Sequence, residues 1–132
     1  MKRRPTQSTR AHEFDIVRKV GLALPDVEAG TRYDGSPVLK RGGAFMAGLA
    51  RHPSAEPGTL VVRADFDERE WLIEDAPETY YVPDYYRQYP VVLARLSHLD
   101  EDALRDLLSV SWRLTAGKGR KRGRARRSER AG

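Results

Sequence analysis

Apolar residues near the start of the chain recur at intervals of three and four, the spacing that places them on one face of a helix. The pattern predicts a first helix from about His12 to Leu24, and Pro25 ends it because proline cannot continue a helix. The apolar positions of this helix are Ile16, Val17, Val20 and Leu24. The acidic and glycine-containing segment 26–30 then predicts a turn that leads into extended structure.

Three extended segments follow, with glycine and proline between them. Residues 36–41 and 44–51 flank the pair Gly42-Gly43, which favours a two-residue hairpin turn because such turns need positive φ. A polar loop at 52–58 leads to a third strand at 59–64. Short connections of this kind predict a mainly antiparallel sheet.

The second half of the chain predicts a short helix at 67–76, a strand at 91–96 and a closing helix from Asp100 to about Ala116. Asp100 is a suitable N-cap for the closing helix, and Gly117 is a suitable residue just beyond its end. The order is therefore helix, three strands, helix, one or two strands, helix, which is an α+β domain with helices packed on the sheet.

The net charge of +5 is divided unevenly along the chain. Residues 1–12 carry four basic and no acidic residues, and residues 117–132 carry eight basic residues and one acidic residue. The intervening residues hold 12 basic and 18 acidic side chains. We predict a basic arm at 1–11, a folded domain at 12–116 and a disordered Arg/Lys-rich tail at 117–132, so that affinity for polyanions resides mainly in the two ends.

Several classes of function find no support in the sequence. The chain has no cysteine, its three histidines are isolated, and it contains neither a phosphate-binding glycine loop nor a nucleophile elbow. No apolar run is long enough to span a membrane, and no signal-peptide pattern follows the basic N-terminus. We therefore expect a cytoplasmic protein that is not an enzyme, needs no metal or cofactor and does not bind membranes. Its oligomeric state cannot be read from this pattern.

Five of the six tyrosines fall within ten residues, at Tyr80, Tyr81, Tyr85, Tyr86 and Tyr89. We favour a structural interpretation in which several rings pack under the closing helix, with Trp112 as a packing partner of Tyr89. The alternative is that these rings stack against the bases of a nucleic acid.

Cationic residues at three places are candidate contacts for nucleic-acid phosphates. Lys40 and Arg41 approach the predicted hairpin turn, where they are either a phosphate-binding tip or ordinary solvated charges. Arg87 lies among the tyrosines and is either a phosphate contact or a structural arginine. The tail supplies Lys118, Arg120, Lys121, Arg122, Arg124, Arg126 and Arg127.

The order of several short motifs resembles the MmcQ/YjbR family of small bacterial proteins. The motifs are Leu24-Pro25-Asp-Val-Glu28, Thr31-Arg-Tyr33-Asp-Gly35-Ser-Pro37, Tyr80-Tyr81-Val, and Tyr86-Arg-Gln-Tyr89-Pro90-Val-Val-Leu-Ala-Arg-Leu96. The resemblance extends from about Phe14 to Leu114. It implies the order αβββαββα, a YjbR-like or CyaY-like fold, and DNA binding through a double-wing arrangement.

Three hypotheses about function follow. The first is a non-enzymatic DNA-binding domain whose basic ends supply much of the affinity. The second is a protein-interaction or chaperone-like module with no specific role in nucleic-acid binding. The third is an enzyme or a small-ligand pocket at the tyrosine cluster.

Overall fold

The computed structural model describes the backbone of residues 6–121 and the side chains of residues 14–115. In chain order its elements are α1 (Thr6–Leu22), β1 (Val27–Thr31), β2 (Pro37–Arg41), β3 (Ala44–Leu49), β4 (Thr59–Arg63), α2 (Phe66–Asp75), β5 (Tyr80–Tyr81), α3 (Asp84–Arg87), β6 (Val91–Arg95) and α4 (Glu101–Lys121). A single 3-10 turn at Leu96–His98 joins β6 to α4.

Six strands form one antiparallel sheet in the order β1-β2-β3-β4-β6-β5. The first four strands are neighbours in both sequence and space. β6 then pairs with β4, with Val61 opposite Leu93, and β5 forms the far edge. The α+β fold with its antiparallel sheet is thus confirmed.

One face of the sheet carries α1, α2 and α4, and the main hydrophobic core lies beneath them. Phe14, Val17 and Val20 of α1 recur at intervals of three and are buried. Leu104, Leu107 and Leu108 supply the matching face of α4, and Leu72 is the buried apolar residue of α2. Strand residues that point to this side, such as Leu39, Leu60, Val62, Val92 and Ala94, complete the core.

We call the opposite side of the sheet the open face; it carries none of these three helices. A smaller apolar cluster of Val61, Tyr86, Val91 and Leu93 lies there. Two short pieces of chain cover this cluster, namely the loop at 50–58 and the segment around α3. Among the described residues, these two pieces and the strands themselves therefore make up the open face.

Several boundaries differ from those predicted. Segment 26–30 is not simply a turn, because positive φ is confined to Asp26 and the following residues form edge strand β1 against β2. Helix α1 spans Thr6–Leu22 rather than 12–24, so half of the predicted arm is helical. Helix α4 continues to Lys121, past its predicted end at about Ala116. Residues 122–132 of the predicted tail lie outside the described residues.

Two local predictions are confirmed at specific residues. Gly42 and Gly43 both have positive φ, 57° and 83°, and form the turn of the β2–β3 hairpin. The Asp100 carboxylate accepts a hydrogen bond from the backbone N–H of Ala103 at 2.8 Å, as expected of the N-cap of α4. Within residues 6–121, none of the helices has the length and apolar character needed to cross a bilayer.

Candidate nucleic-acid interface

Residues 80–89, which we call the tyrosine segment, hold the 50–58 loop against the open face through two hydroxyl groups. The backbone N–H of Glu56 donates to the Tyr81 hydroxyl at 2.8 Å, and that of His52 donates to the Tyr86 hydroxyl at 3.3 Å. Thr59 Oγ1 also lies 2.7 Å from the Tyr81 hydroxyl. These contacts join residues more than 20 positions apart, so the loop and the tyrosine segment form one surface.

An aromatic stack stands at the edge of this surface. The rings of His52 and Tyr85 are nearly parallel, at 12°, with centroids 3.6 Å apart. The Tyr86 ring is perpendicular to both, with its centroid 5.0 Å from that of Tyr85 and 6.2 Å from that of His52. These three distances form a nearly right-angled triangle, so Tyr86 lies beside the stack and not on its outer end. Tyr85 is 48% exposed, and the ring of Tyr89 lies tilted at 53° to it, with the two centroids 6.3 Å apart.

Two arginines converge next to the stack. Nη1 of Arg32 donates to Ser36 Oγ at 3.0 Å and to the carbonyl oxygen of Leu49 at 2.9 Å. Arg51 forms an ion pair with Asp34. Among the described residues Arg32 has no ion pair of its own, so two guanidinium groups here share one carboxylate.

Burial and the neighbouring arginine both disfavour the charged form of Arg32. Burial lowers the pKa of Arg32, and the neighbouring positive charge of Arg51 lowers it further. The backbone N–H and hydroxyl of Ser36 hold the pKa of Asp34 below its usual range, so this carboxyl is ionised near neutral pH. An anion placed beside Arg32 would therefore relieve an unfavourable interaction.

These groups line a cavity of about 320 Å³ on the open face, which we call the arginine–tyrosine cavity. Its lining residues are Arg32, Arg51, His52, Pro53, Val61, Tyr85 and Tyr86. Gly48 makes room for one wall, because a Cβ at this position would lie 2.7 Å from Nη2 of Arg32. The cavity combines cations with aromatic rings, the two chemistries that recognise phosphate groups and bases.

A larger groove of about 700 Å³ lies between α1 and the 50–58 loop. Its apolar lining includes Phe14, Pro37 and Leu49, and its charged lining includes Arg18 and Glu56. No tyrosine of the cluster lines it, so it is not the tyrosine-lined pocket of the third hypothesis. Among the described residues, no three His, Cys, Asp or Glu side chains lie close enough together to hold a metal ion.

The two predicted hairpin cations point to opposite faces. Lys40 is exposed and pairs in register with Phe45, a residue of the open face. The expectation that Arg41 is also an exposed tip cation is wrong, because its side chain is only 13% exposed. The Arg41 guanidinium lies 3.8 Å from the ring centroid of Trp112 and donates to the Trp112 carbonyl oxygen at 2.8 Å.

The remaining predicted phosphate contacts are Arg87 and the basic residues of the tail. Arg87 is exposed and interacts with Asp84 at 3.4 Å and with the carbonyl oxygen of Val82 at 3.4 Å. Its role as a phosphate contact stays a prediction. Helix α4 includes Lys118, Arg120 and Lys121, but the structure does not describe their side chains. The other predicted tail contacts lie wholly outside the described residues; they are Arg122, Arg124, Arg126 and Arg127.

The tyrosine cluster divides into structural and exposed members. Tyr80 and Tyr86 are buried and Tyr81 is half-buried, whereas Tyr85 and Tyr89 are largely exposed. The predicted contact between Tyr89 and Trp112 is wrong, since the two residues lie on opposite sides of the sheet. The indole N–H of Trp112 instead donates to the carbonyl oxygen of Pro25 at 2.7 Å.

Sequence reasoning missed Arg32, Arg51 and His52 as members of a site. His52 was noted only as an isolated histidine, and neither arginine stands in a basic run. The proximity of His52 to Tyr85 depends on a contact across 33 positions, which no local pattern indicates. A useful signal would have been that both arginines flank strands next to turn-forming residues.

Comparison with known proteins identifies a family for this chain. A family model described as YjbR matches residues 22–114, more than two thirds of the chain. The chain belongs to the YjbR family. The curated proteins contain no significant sequence match to this YjbR chain.

The YjbR chain is also similar to a solved structure, the crystal structure of Deinococcus radiodurans protein DR2400, which carries the family-model domain DUF419. The TM-score is 0.64 at 22% sequence identity, with 80% of each chain covered. At this identity the likeness shows the YjbR fold alone, so the arginine–tyrosine cavity must be interpreted from its own chemistry.

Proposed function

We propose that the protein is a non-enzymatic nucleic-acid-binding domain, with DNA as its ligand, and that the arginine–tyrosine cavity is its folded contact surface. The observation that carries the proposal is the convergence of Arg32 and Arg51 beside the exposed ring of Tyr85. The basic ends of the chain add affinity that does not depend on DNA sequence. The resemblance to a double-wing DNA-binding family supports the same ligand.

The distribution of charge on the folded domain favours the open face. Residues 65–78 carry seven carboxylates, and they lie on or next to α2, which packs on the helical side of the sheet. On the open face, Lys40 and Arg63 supplement the cavity arginines; Glu28 lies opposite Lys40 in register. A domain with net negative charge can therefore present one surface suited to phosphate groups.

Two matched charge variants test this proposal. Arg51 and Arg105 are both about half-exposed and both paired with carboxylates, but Arg105 lies on α4, away from the open face. We expect Arg51→Ala to weaken DNA binding by the full chain about three- to tenfold, while Arg105→Ala, which changes the net charge equally, leaves it nearly unchanged. Fluorescence anisotropy at low and moderate salt measures both affinities.

The reverse outcome is equally informative. Equal losses for Arg51→Ala and Arg105→Ala would mean that only net charge matters, and the cavity would not be the folded contact. Full-length protein that binds no DNA at low salt would rule out the proposal altogether.

A second candidate, the protein-interaction module, is favoured by a different surface. Trp71 and Phe66 of α2 are 58% and 48% exposed, and the helix sequence between and after them is rich in acidic residues. An exposed tryptophan on an acidic helix is typical of a surface that binds a protein. The predicted cytoplasmic location stays a prediction under either candidate.

A further inference from the structure

We infer that the strand held in the arginine–tyrosine cavity is unpaired: the outward face of Tyr85 stacks on one base of a single-stranded nucleic acid, and Arg32 and Arg51 bind a neighbouring phosphate. This inference rests on the proposed function and names the form of nucleic acid that the same site takes.

The first step is the preorganisation of the ring. His52 covers one face of Tyr85 at 3.6 Å, and Tyr86 lies against its edge at 5.0 Å. His52 is itself held, because the backbone N–H of Ser54 donates to its Nδ1 at 3.1 Å and Ser54 Oγ lies 2.8 Å from the same atom. Tyr85 is therefore held in one orientation while it remains 48% exposed, which lowers the entropic cost of stacking a base on the face opposite His52.

The second step is the position of positive charge relative to that ring. Arg32 and Arg51 line the same cavity of about 320 Å³ as Tyr85, so two guanidinium groups lie on the same surface as the ring, within reach of a phosphate next to a stacked base. One carboxylate, Asp34, accompanies them, which leaves a net positive charge for a phosphate.

The third step separates single strands from duplexes. Within a duplex both faces of each base are covered by neighbouring bases, so stacking on Tyr85 first requires unstacking at a cost of a few kcal/mol. An unpaired base has no such cost, and every base offers a π-face to a tyrosine. The cavity should therefore bind an unpaired strand more tightly than a duplex, without strong sequence preference.

The experiment compares three fluorescent probes by anisotropy with the full chain: a 12-nucleotide oligo-dT, a duplex of the same length and a 12-unit abasic DNA backbone. We expect oligo-dT to bind most tightly. Tyr85→Ala should weaken oligo-dT binding about tenfold, since each base stacked on an aromatic ring contributes roughly 1–3 kcal/mol. The same variant should leave the duplex and abasic affinities nearly unchanged.

Two control variants isolate the stack. Tyr85→Phe keeps the ring and should bind oligo-dT like the wild type. Trp71→Ala removes another exposed aromatic ring, 58% exposed, on α2 at the helical side of the sheet, and should have little effect. An oligo-U probe of equal length shows whether DNA or RNA is preferred, and tighter binding of either strand than of the duplex supports the inference.

The outcomes separate the inference from the proposed function. Binding of all three DNA probes with equal affinity, unaffected by Tyr85→Ala, would overturn the single-strand inference and leave DNA binding intact. An equal loss for all three probes in Tyr85→Ala would mark a structural role and would also overturn the inference. No binding of any probe would remove the proposed function and this inference together.

Discussion

Lys40 and Arg41 are adjacent in β2, yet the sheet directs one to each face. Because Arg41 stacks on Trp112 and bonds to its carbonyl oxygen, Arg41→Ala should lower the free energy of unfolding by about 1–2 kcal/mol. Lys40→Ala, a matched change at an exposed neighbour, should alter it by less than about 0.5 kcal/mol. Urea unfolding measures both, and equal stabilities would show that the contact between β2 and α4 contributes nothing.

Tyr86 and Tyr89 lie three positions apart and differ in burial. Tyr86 packs against Val61 and Leu93, so Tyr86→Ala should cost about 3 kcal/mol through lost packing and a cavity. Tyr89→Ala should cost less than about 1 kcal/mol, because the ring is largely exposed. Thermal melts compare the two. If Tyr89→Ala were as unstable as Tyr86→Ala, the exposed Tyr89 ring would contribute as much to the stability of the fold as the buried Tyr86 ring.

Residues with short-range partners could be predicted from the sequence, whereas those with distant partners could not. Asp100 caps α4 by accepting a hydrogen bond from a backbone N–H only three positions ahead, and it was identified from its position in the sequence alone. Arg69 was missed, although its side chain is only 5% exposed and its Nη1 donates to the carbonyl oxygens of Arg87 at 3.1 Å and Tyr89 at 3.0 Å. Those carbonyls come from chain 18 or more residues downstream, and an arginine in an acidic helix gives no local sign of them.

The 50–58 loop should lose stabilisation at acidic pH, because one of its contacts needs an ionised glutamate. Arg95 donates to both carboxylate oxygens of Glu56, at 2.9 and 2.8 Å, and these bonds hold the pKa of Glu56 below its usual range. The unfolded chain therefore binds the proton more readily, and the stabilisation is lost as pH falls through the folded-state pKa. As the pH is lowered beneath about 4.5, the ordinary glutamate pKa, we expect the melting temperature of the wild type to decrease. The decrease should be steeper than that of Glu56→Gln.

A matched control separates this contact from general acid effects. Glu74 is exposed on α2 and has no ion pair among the described residues. Glu74→Gln should keep the steep pH dependence of the wild type. If Glu56→Gln and Glu74→Gln follow the same curve from pH 3 to pH 7, the Arg95 contact does not stabilise the loop.

Elements with a strong local signal were predicted correctly, and those without one were missed. The β2–β3 hairpin carries its Gly-Gly turn, and α4 carries leucines at helical spacing. Strand β1 has neither alternation nor apolar residues beyond Val27 and Ala29, because it is an edge strand with four exposed positions. Helix α3 is a single turn inside the tyrosine segment, too short for a periodic pattern.

The order of strands is a property of the whole molecule that the sequence does not contain locally. β5 precedes β6 in the chain but lies outside it in the sheet, so that β6 contacts β4. This arrangement brings α3 and its tyrosines over Val61 and Leu93 and next to His52. The candidate site thus depends on the sheet order, which explains why the family and fold were predictable and the cavity was not.

The separation of charge between the folded domain and its C-terminus leads to a prediction about salt dependence. Residues 122–132 carry five arginines and one glutamate, beyond the end of α4 at Lys121. If these arginines contact phosphates, they steepen the plot of log affinity against log salt by up to about 4.5 units, roughly 0.9 for each neutralised phosphate. A chain ending at Lys121 should therefore bind duplex DNA with a much shallower slope.

Replacing the five arginines with glutamine keeps the length of the segment and isolates the effect of charge. We expect this full-length variant to show the same shallow slope as the truncated chain, because counterion release depends on charge and not on chain length. Both should retain the single-strand preference, since Tyr85 and the cavity arginines are intact. Anisotropy titrations at four salt concentrations measure the slopes. An unchanged slope in the glutamine variant would show that residues 122–132 do not contact DNA, and the cavity and the remaining basic residues at 1–12 and 118–121 would then have to account for binding.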